Sequence, residues 1–297
     1  MKVIITGASG FIGRPLSKKL SLMGHDVLGI SRKIIHDNSS ITWLKANLAI
    51  PSSYENSIKE FCPEVIIHLA WQDIPDFSYE KSQLNLDQSK RFISFIVSIK
   101  SCKKLLIPGS CWEYSQPEGK CKISNQALPS NDFTLAKNSL RLWTEILCKE
   151  HLINVAWFRV FYAYGPGQRS DSLIPSILKS LKIGSLPDIN TPQNANDFIY
   201  IEDVVSAFLT AVNNKFQSGV YNLGSGSSTP VLDVCRIAEN IVLNSSSLTK
   251  SLNQKTINKS KDIDFWADIT ETKRIFEWEP KITLIEGIYQ TWKRFNT

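Results

Sequence analysis

Three glycines spaced three apart, Gly7, Gly10 and Gly13, stand directly behind an uninterrupted β-branched run, Val3-Ile4-Ile5. That order of residues can hold phosphate. Gly7 allows a tight turn, Gly10 lets the backbone approach a pyrophosphate, and Gly13 lets a helix pack against the strand. Phe11, Ile12, Leu16, Leu20 and Met23 follow at helical intervals. A helix start presents free N–H groups and partial positive charge to an anion. Strand, glycine turn and helix start together read as a dinucleotide site, with Ser9, Phe11 and Ile12 on the same loop. An ordinary strand–turn–helix connection is the plain alternative.

Such a loop needs a sheet to carry it. Further short apolar runs occur at Val27–Ile30, Ile41–Leu44, Glu64–Leu69, Lys104–Ile107 and Val155–Val160. Helical patterns at about 53–61, 79–99 and 133–150 alternate with them. Alternation of this kind predicts an α/β fold with a doubly wound parallel sheet, ligand outside the carboxyl ends of the strands. The rhythm changes after Gly165-Pro166-Gly167. We expect a dinucleotide-binding lobe at 1–165 plus about 196–220, and a smaller discontinuous α+β substrate lobe at 166–195 and 221–297. The Ser/Asn/Lys-rich stretch 244–261 reads as a surface excursion.

The apolar fraction of 42% is ample for a core, and no apolar run approaches the length of a membrane span. The six cysteines show no metal-ligand spacing and read as reduced thiols of a cytoplasmic protein; no metal is expected. The net charge of +6 comes from scattered cations without a basic block, which favours anionic ligands and argues against nucleic acid.

Several further motifs converge. His68-Leu69-Ala70 follows the fourth strand, and Asn85 lies in the long helix. Arg159 to Gly167 reads RVFYAYGPG, Asp197 to Val204 reads DFIYIEDV, and Tyr221 to Gly226 reads YNLGSG. In this order, and with Asp268-Ile269 and Trp278-Glu279-Pro280 behind them, the chain resembles an extended short-chain dehydrogenase/reductase of the nucleotide-sugar epimerase, dehydratase and reductase group. The resemblance runs nearly end to end. It implies cofactor contacts from Asn47, Leu48, Leu69, Ala70, Trp71, Asn85 and Phe161.

An acid at the end of the second strand would bind the adenosine ribose of NAD. Here Ser31-Arg32-Lys33 stands in that place. A guanidinium pairs bidentately with a 2′-phosphate, so NADP(H) is expected over NAD(H); two solvated loop cations are the plain alternative.

The resemblance also implies a Ser, a Tyr and a Lys acting on a substrate oxygen, the Tyr as general acid and the Lys holding the nicotinamide ribose. Ser110 and Lys137 match, but Phe133 occupies the Tyr position. Phe has no proton to give. A substitute acid from Ser110, Cys111, Tyr114, Tyr162 or Tyr164, delivery by Lys137 itself or through water, and loss of catalysis all stay open. Tyr162 stands where the family has an Asn, and Asn196 where it has an Arg on the nucleotide pyrophosphate; Lys261 is a candidate replacement. Ser110, Cys111, Trp112, Tyr162, Ser172, Leu173, Asn196 and Lys261 are the expected substrate contacts. The expected activity is NADPH-dependent reduction of a nucleotide-linked 4-keto-deoxysugar. An NAD-dependent epimerase or dehydratase, and a non-catalytic binding protein, are the alternatives. Helices 79–99 and 133–150 carry more apolar residues than one face needs, and the resemblance implies a homodimer through them.

Overall fold

The computed structural model describes residues 1–35, 40–114, 117–254 and 263–295. In chain order its first half holds β1 (Lys2–Thr6), α1 (Gly13–Leu22), β2 (Asp26–Ser31), β3 (Thr42–Lys45), α2 (Glu55–Phe61), β4 (Val65–His68), α3 (Tyr79–Val97), β5 (Lys104–Ser110), β6 (Gly119–Cys121) and α4 (Asp132–Glu150). β7 (Asn154–Val160), β8 (Tyr162–Tyr164), α5 (Leu173–Lys182), β9 (Ala195–Asn196), β10 (Phe198–Tyr200), α6 (Ile201–Asn213) and β11 (Gly219–Leu223) follow. The chain closes with β12 (Thr229–Pro230), α7 (Val231–Leu243), β13 (Asp264–Ala267), α8 (Thr270–Phe276) and α9 (Leu284–Phe295).

Seven strands form one parallel sheet in the order β3-β2-β1-β4-β5-β7-β11. Its alternating residues enter opposite cores, as strand geometry requires. Val3 and Ile5 face Leu16 and Leu20 of α1 and Val204 and Phe208 of α6. Ile4, Ile66, Leu105 and Trp157 face Ile58 of α2, Phe92 and Ile96 of α3, and Leu140 of α4. Both faces are covered, which is why the inner strands β1 and β4 are almost continuously apolar. Strand order reverses between β1 and β4, so the crevice opens at their carboxyl ends.

α4 starts where Asn131 caps it: Thr134 N donates to Asn131 Oδ1 at 2.9 Å, and Asn131 N donates back to Thr134 Oγ1 at 3.2 Å. That start puts Phe133, Ala136, Lys137 and Leu140 on the buried face. α3 and α4 pack side by side.

Two small sheets, β12-β9-β13-β6 and β10-β8, lie beyond the main one. Their strands, two to four residues long, gave no period to read. The lobe boundary expected at 220/221 passes through β11, which pairs along its whole length with β7; residues 221–223 therefore sit in the large sheet. The expected excursion from 244 is anchored at its start. Leu248 N and Thr249 N both donate to the Glu239 carboxylate at 2.9 Å, and Leu252 is fully buried.

Candidate active site

A cleft of about 550 Å³ opens at the carboxyl ends of β1, β2 and β4. Gly7, Ser9, Gly10, Phe11, Ile12 and Gly13 line one side of it. The turn is tight: Gly10 N donates to Gly7 O at 2.9 Å, and Gly7 has φ +66°. A Cβ at Gly13 would collide with Gly7 O and lie 2.8 Å from Ala8 Cα. A cradle that admits no Cβ fits a diphosphate approached by backbone, and α1 starts directly behind it.

Ser31, Arg32, Asn47, Leu48, Leu69, Ala70, Trp71 and Asn85, named from the sequence as candidate cofactor contacts, line the same cleft. Ser9 and Ser31 join through their hydroxyls at 3.0 Å. Asn85 holds the loop after β4: its Oδ1 accepts from Gln72 N at 2.7 Å, and its Nδ2 donates to Gln72 O at 3.1 Å. Three expected contacts are absent from the cleft wall: Lys33, Phe161 and Lys137, the last described below. The Lys33 N–H donates back to Ser31 Oγ at 3.2 Å. Phe161 is buried among Tyr114, Phe265 and the small-sheet core.

At the far end of the cleft Lys137 is buried. Its Nζ donates to Pro108 O at 3.1 Å and sits 4.0 Å from the Trp71 ring centroid. Burial lowers its pKa to about 8. Pro108 and Trp71 both line the cleft, which sets the ammonium directly behind its wall. Phe133 is 8% exposed, edge-on to Trp71 at 5.7 Å and 4.8 Å from Phe77. Beside them His68 bridges Thr6 Oγ1 at 2.9 Å and Ser89 Oγ at 3.0 Å; burial lowers its pKa to about 3, so the ring is neutral.

Ser110 ends β5, two residues beyond Pro108, and its Oγ accepts from Trp112 N at 3.2 Å. The other hydroxyls and the thiol are placed differently. Tyr114 is buried and donates to Asn222 Oδ1 at 2.8 Å. Tyr164 is buried and donates to Leu284 O at 3.3 Å. Cys111 is buried, and burial pushes its thiol pKa up. Tyr162 lies among Trp112, Phe198 and Phe265, and burial pushes its phenol up as well. None of the four is among the residues lining the cleft, and neither are Ser110 and Trp112, which lie just beyond Pro108. Among the expected substrate contacts, Ser172 lines the cleft; Leu173 packs against the core and Asn196 is buried in β9 between Thr229 and Phe265. Lys261 lies outside the described residues.

The cleft also takes Gln72, Gln88, Ser89, Gln168 and Arg169, which carried no sequence signal. Gln72 accepts from Arg32 Nη1 at 2.8 Å. Glu113 and Arg159 form a buried ion pair at 3.1 Å beside Ser110. Lone opposite charges inside apolar runs were the signal for that pair.

A parallel sheet with its glycine cradle at the switch point defines a nucleotide-binding oxidoreductase fold. A sequence model of the NAD dependent epimerase/dehydratase family matches residues 3–224, and the chain belongs to that family. It is 24% identical to CDP-abequose synthase of Salmonella typhimurium, over 98% of this chain and 97% of that one. It is 23% identical to dTDP-4-dehydro-6-deoxyglucose reductase of Escherichia coli, over 96% and 95%. The fold matches UDP-glucuronic acid 4-epimerase of Bacillus cereus in complex with NAD, with a TM-score of 0.84 at 20% identity, over 100% and 96%.

Proposed function

We propose that this chain is an NADPH-dependent reductase of a nucleotide-linked 4-keto-deoxysugar. The end of β2 carries the reading: no acid stands there, and Arg32 lines the cleft instead. A reductase consumes its cofactor each cycle, and NADPH is the reductant that a 2′-phosphate clamp selects. Two relatives with full-length matches are named for deoxysugar synthesis and reduction.

The glycine turn, Arg32, Asn47 and the loop 69–71 would hold the dinucleotide. Bound there, it supplies the hydride. Ser110 donates a hydrogen bond to the keto oxygen, which stabilises charge developing on it. The Lys137 ammonium binds the ribose and is the proton source, directly or through one water, in place of the hydroxyl that Phe133 lacks. Solvent then returns the proton to the amine.

Residues 1–165 with 196–223 form the cofactor lobe, and the remainder shapes the sugar site. Leu84, Leu135, Leu142 and Ile146, exposed on α3 and α4, form the face of a homodimer. Free thiols at all six cysteines fit a reducing cytoplasm.

NADPH and NADH oxidation with a panel of nucleotide-linked 4-keto sugars tests the assignment. NADPH-dependent turnover of at least one is expected; none, with the protein folded, overturns it. A second reading, an NAD-dependent epimerase, is favoured by the NAD carried by the Bacillus cereus neighbour. NAD retained through purification, and interconversion of sugars without net cofactor consumption, would establish that reading instead.

A further inference from the structure

Glu113 has no part in the reduction as described, yet its carboxylate accepts from three residues, Ser110, Trp157 and Arg159. Its side chain is fully buried. Oε1 accepts from Ser110 N at 2.8 Å and from Trp157 Nε1 at 3.0 Å. Oε2 accepts from Trp157 Nε1 at 3.1 Å and from Arg159 Nε at 3.1 Å. A Cβ at Gly109 would collide with both Glu113 Oε1 and Trp157 Nε1, so the chain is small where the carboxylate passes. The Arg159 guanidinium in turn lies 4.3 Å from the Tyr114 ring centroid.

Stability alone is a poor reason for this pair. Stripping water from two charges costs several kcal/mol each, and an apolar pair of similar volume often holds two strands as well or better. What an apolar pair cannot supply is a directed acceptor for the Ser110 amide. Glu113 and Ser110 cap each other: Ser110 N donates to Oε1, and Trp112 N donates to Ser110 Oγ. Main chain and side chain of Ser110 are both pinned. Since Oγ already accepts from Trp112, its position is fixed and the hydroxyl hydrogen is what remains to be directed, with the Cys111 thiol beside it as the acceptor a substrate oxygen would replace. Lys137 Nζ reaches the same strand, donating at 3.1 Å to the carbonyl of Pro108, two residues before Ser110.

We propose that Glu113 is a positioning residue that aims the Ser110 hydroxyl at the substrate's keto oxygen. The proposal rests on the reductive reading of the site. Because Glu113 touches neither substrate nor cofactor, it acts only through Ser110.

A double-mutant cycle in the full chain tests it, with NADPH oxidation as the readout. Glu113→Gln keeps one acceptor but turns a donor toward Arg159, which breaks the arrangement. It is expected to lower kcat about 10²-fold, the scale of a misplacement near 1 Å, with KM changed less than about threefold. Ser110→Ala is expected to lower kcat by a similar factor. The double variant should fall no further than the weaker single, because both remove one interaction. Full kcat for Glu113→Gln, or effects that multiply in the double variant, would overturn the proposal. If Glu113→Gln does not fold, Trp157→Phe removes one donor and leaves the ion pair; a kcat loss that Ser110→Ala abolishes supports the proposal, and an unchanged kcat sinks it. Amide hydrogen exchange keeps this separate from the reductase reading. Should wild type reduce no sugar, that reading fails alone; Glu113 is then judged by exchange at Ser110 and Trp112. Faster exchange confined to 110–114 in Glu113→Gln supports positioning, and unchanged exchange refutes it.

Discussion

Around Gly7 to Gly13 the cleft is walled by backbone, with little room for a larger side chain at Gly13. Around Lys137 its wall is backed by rings and a buried charge: Trp71, Phe77, Phe133 and the ammonium itself. Under the proposed function the first region would hold its ligand with main-chain N–H groups and a helix start, features that the strand–turn–helix connection itself builds. The second would hold it with side-chain functional groups, which can change without disturbing the backbone. Phe133, Tyr162 and Asn196 are the positions where the resemblance implies a different residue; Phe133 lies beside Lys137, Tyr162 and Asn196 lie with the small sheets, and the glycine turn holds no such position.

The largest effect is expected where the first region is broken. Gly13→Val places a branched side chain against Gly7 O and Ala8, so the turn cannot close as it does. Overpacking of this kind costs about 1–3 kcal/mol, and it falls on the phosphate cradle. Saturable NADPH binding, followed by cofactor fluorescence, should disappear in a protein that still folds by circular dichroism. Ser110→Ala, on the other side, should leave that affinity unchanged within about twofold. Equal losses from both would erase the distinction between the halves.

Lys137→Met comes next. Losing a proton source costs about 10²–10⁴ in rate, so kcat should fall in that range. The wild-type rate should also decline as pH rises through about 8, the value to which burial lowers Lys137. The groups facing Lys137 are Glu113, which favours its charged form, and His68, which is neutral at these pH values. The sign for stability is opposite to that for rate. The folded-state pKa lies below the ordinary 10.5, so the unfolded chain binds more protons between about 8 and 10.5. Stability should therefore rise with pH across that window, and Lys137→Met should remove the rise. A rate flat from pH 7 to 10 would dismiss Lys137 as the proton source.

Arg32→Asp sharpens the cofactor side more gently. Hydrogen bonds to a charged group contribute about 1.5–3 kcal/mol, so the preference for NADPH over NADH should move by about 10- to 100-fold toward NADH. The ratio of kcat/KM for the two cofactors measures it. No change would reduce Arg32 to a surface cation held by Gln72.

How far the two regions were legible follows the same division. The parallel sheet and its cradle were plain because apolar runs and glycine spacing are local and periodic. α4 was plain, and with it the placing of Lys137 one turn from Phe133. The small sheets were not, since strands such as Ala195–Asn196 are held by partners distant in the chain and have no period. Glu113 was missed because its partners, Trp157 and Arg159, lie on a different strand and only the fold brings them together. Tyr162 stood out as a candidate acid on position alone; the aromatic groups around it became visible only in three dimensions.

The smallest change is expected from restoring what the second region lacks. Phe133→Tyr adds a hydroxyl to a ring already edge-on to Trp71, with Lys137 Nζ 6.0 Å from its centroid. The change adds a hydroxyl at a site that is 8% exposed, and the fold should lose no more than about 1–3 kcal/mol, the cost of a buried hydroxyl without a partner. If Ser110 and Lys137 already orient and protonate the keto oxygen, a further acid shortens no step that limits the rate, and kcat should change less than about threefold, below the 10²-fold that a newly supplied acid contributes where none exists. Turnover that is undetectable in wild type and large in Phe133→Tyr would reverse the conclusion: the second region would then have lost its chemistry while the first kept its ligand.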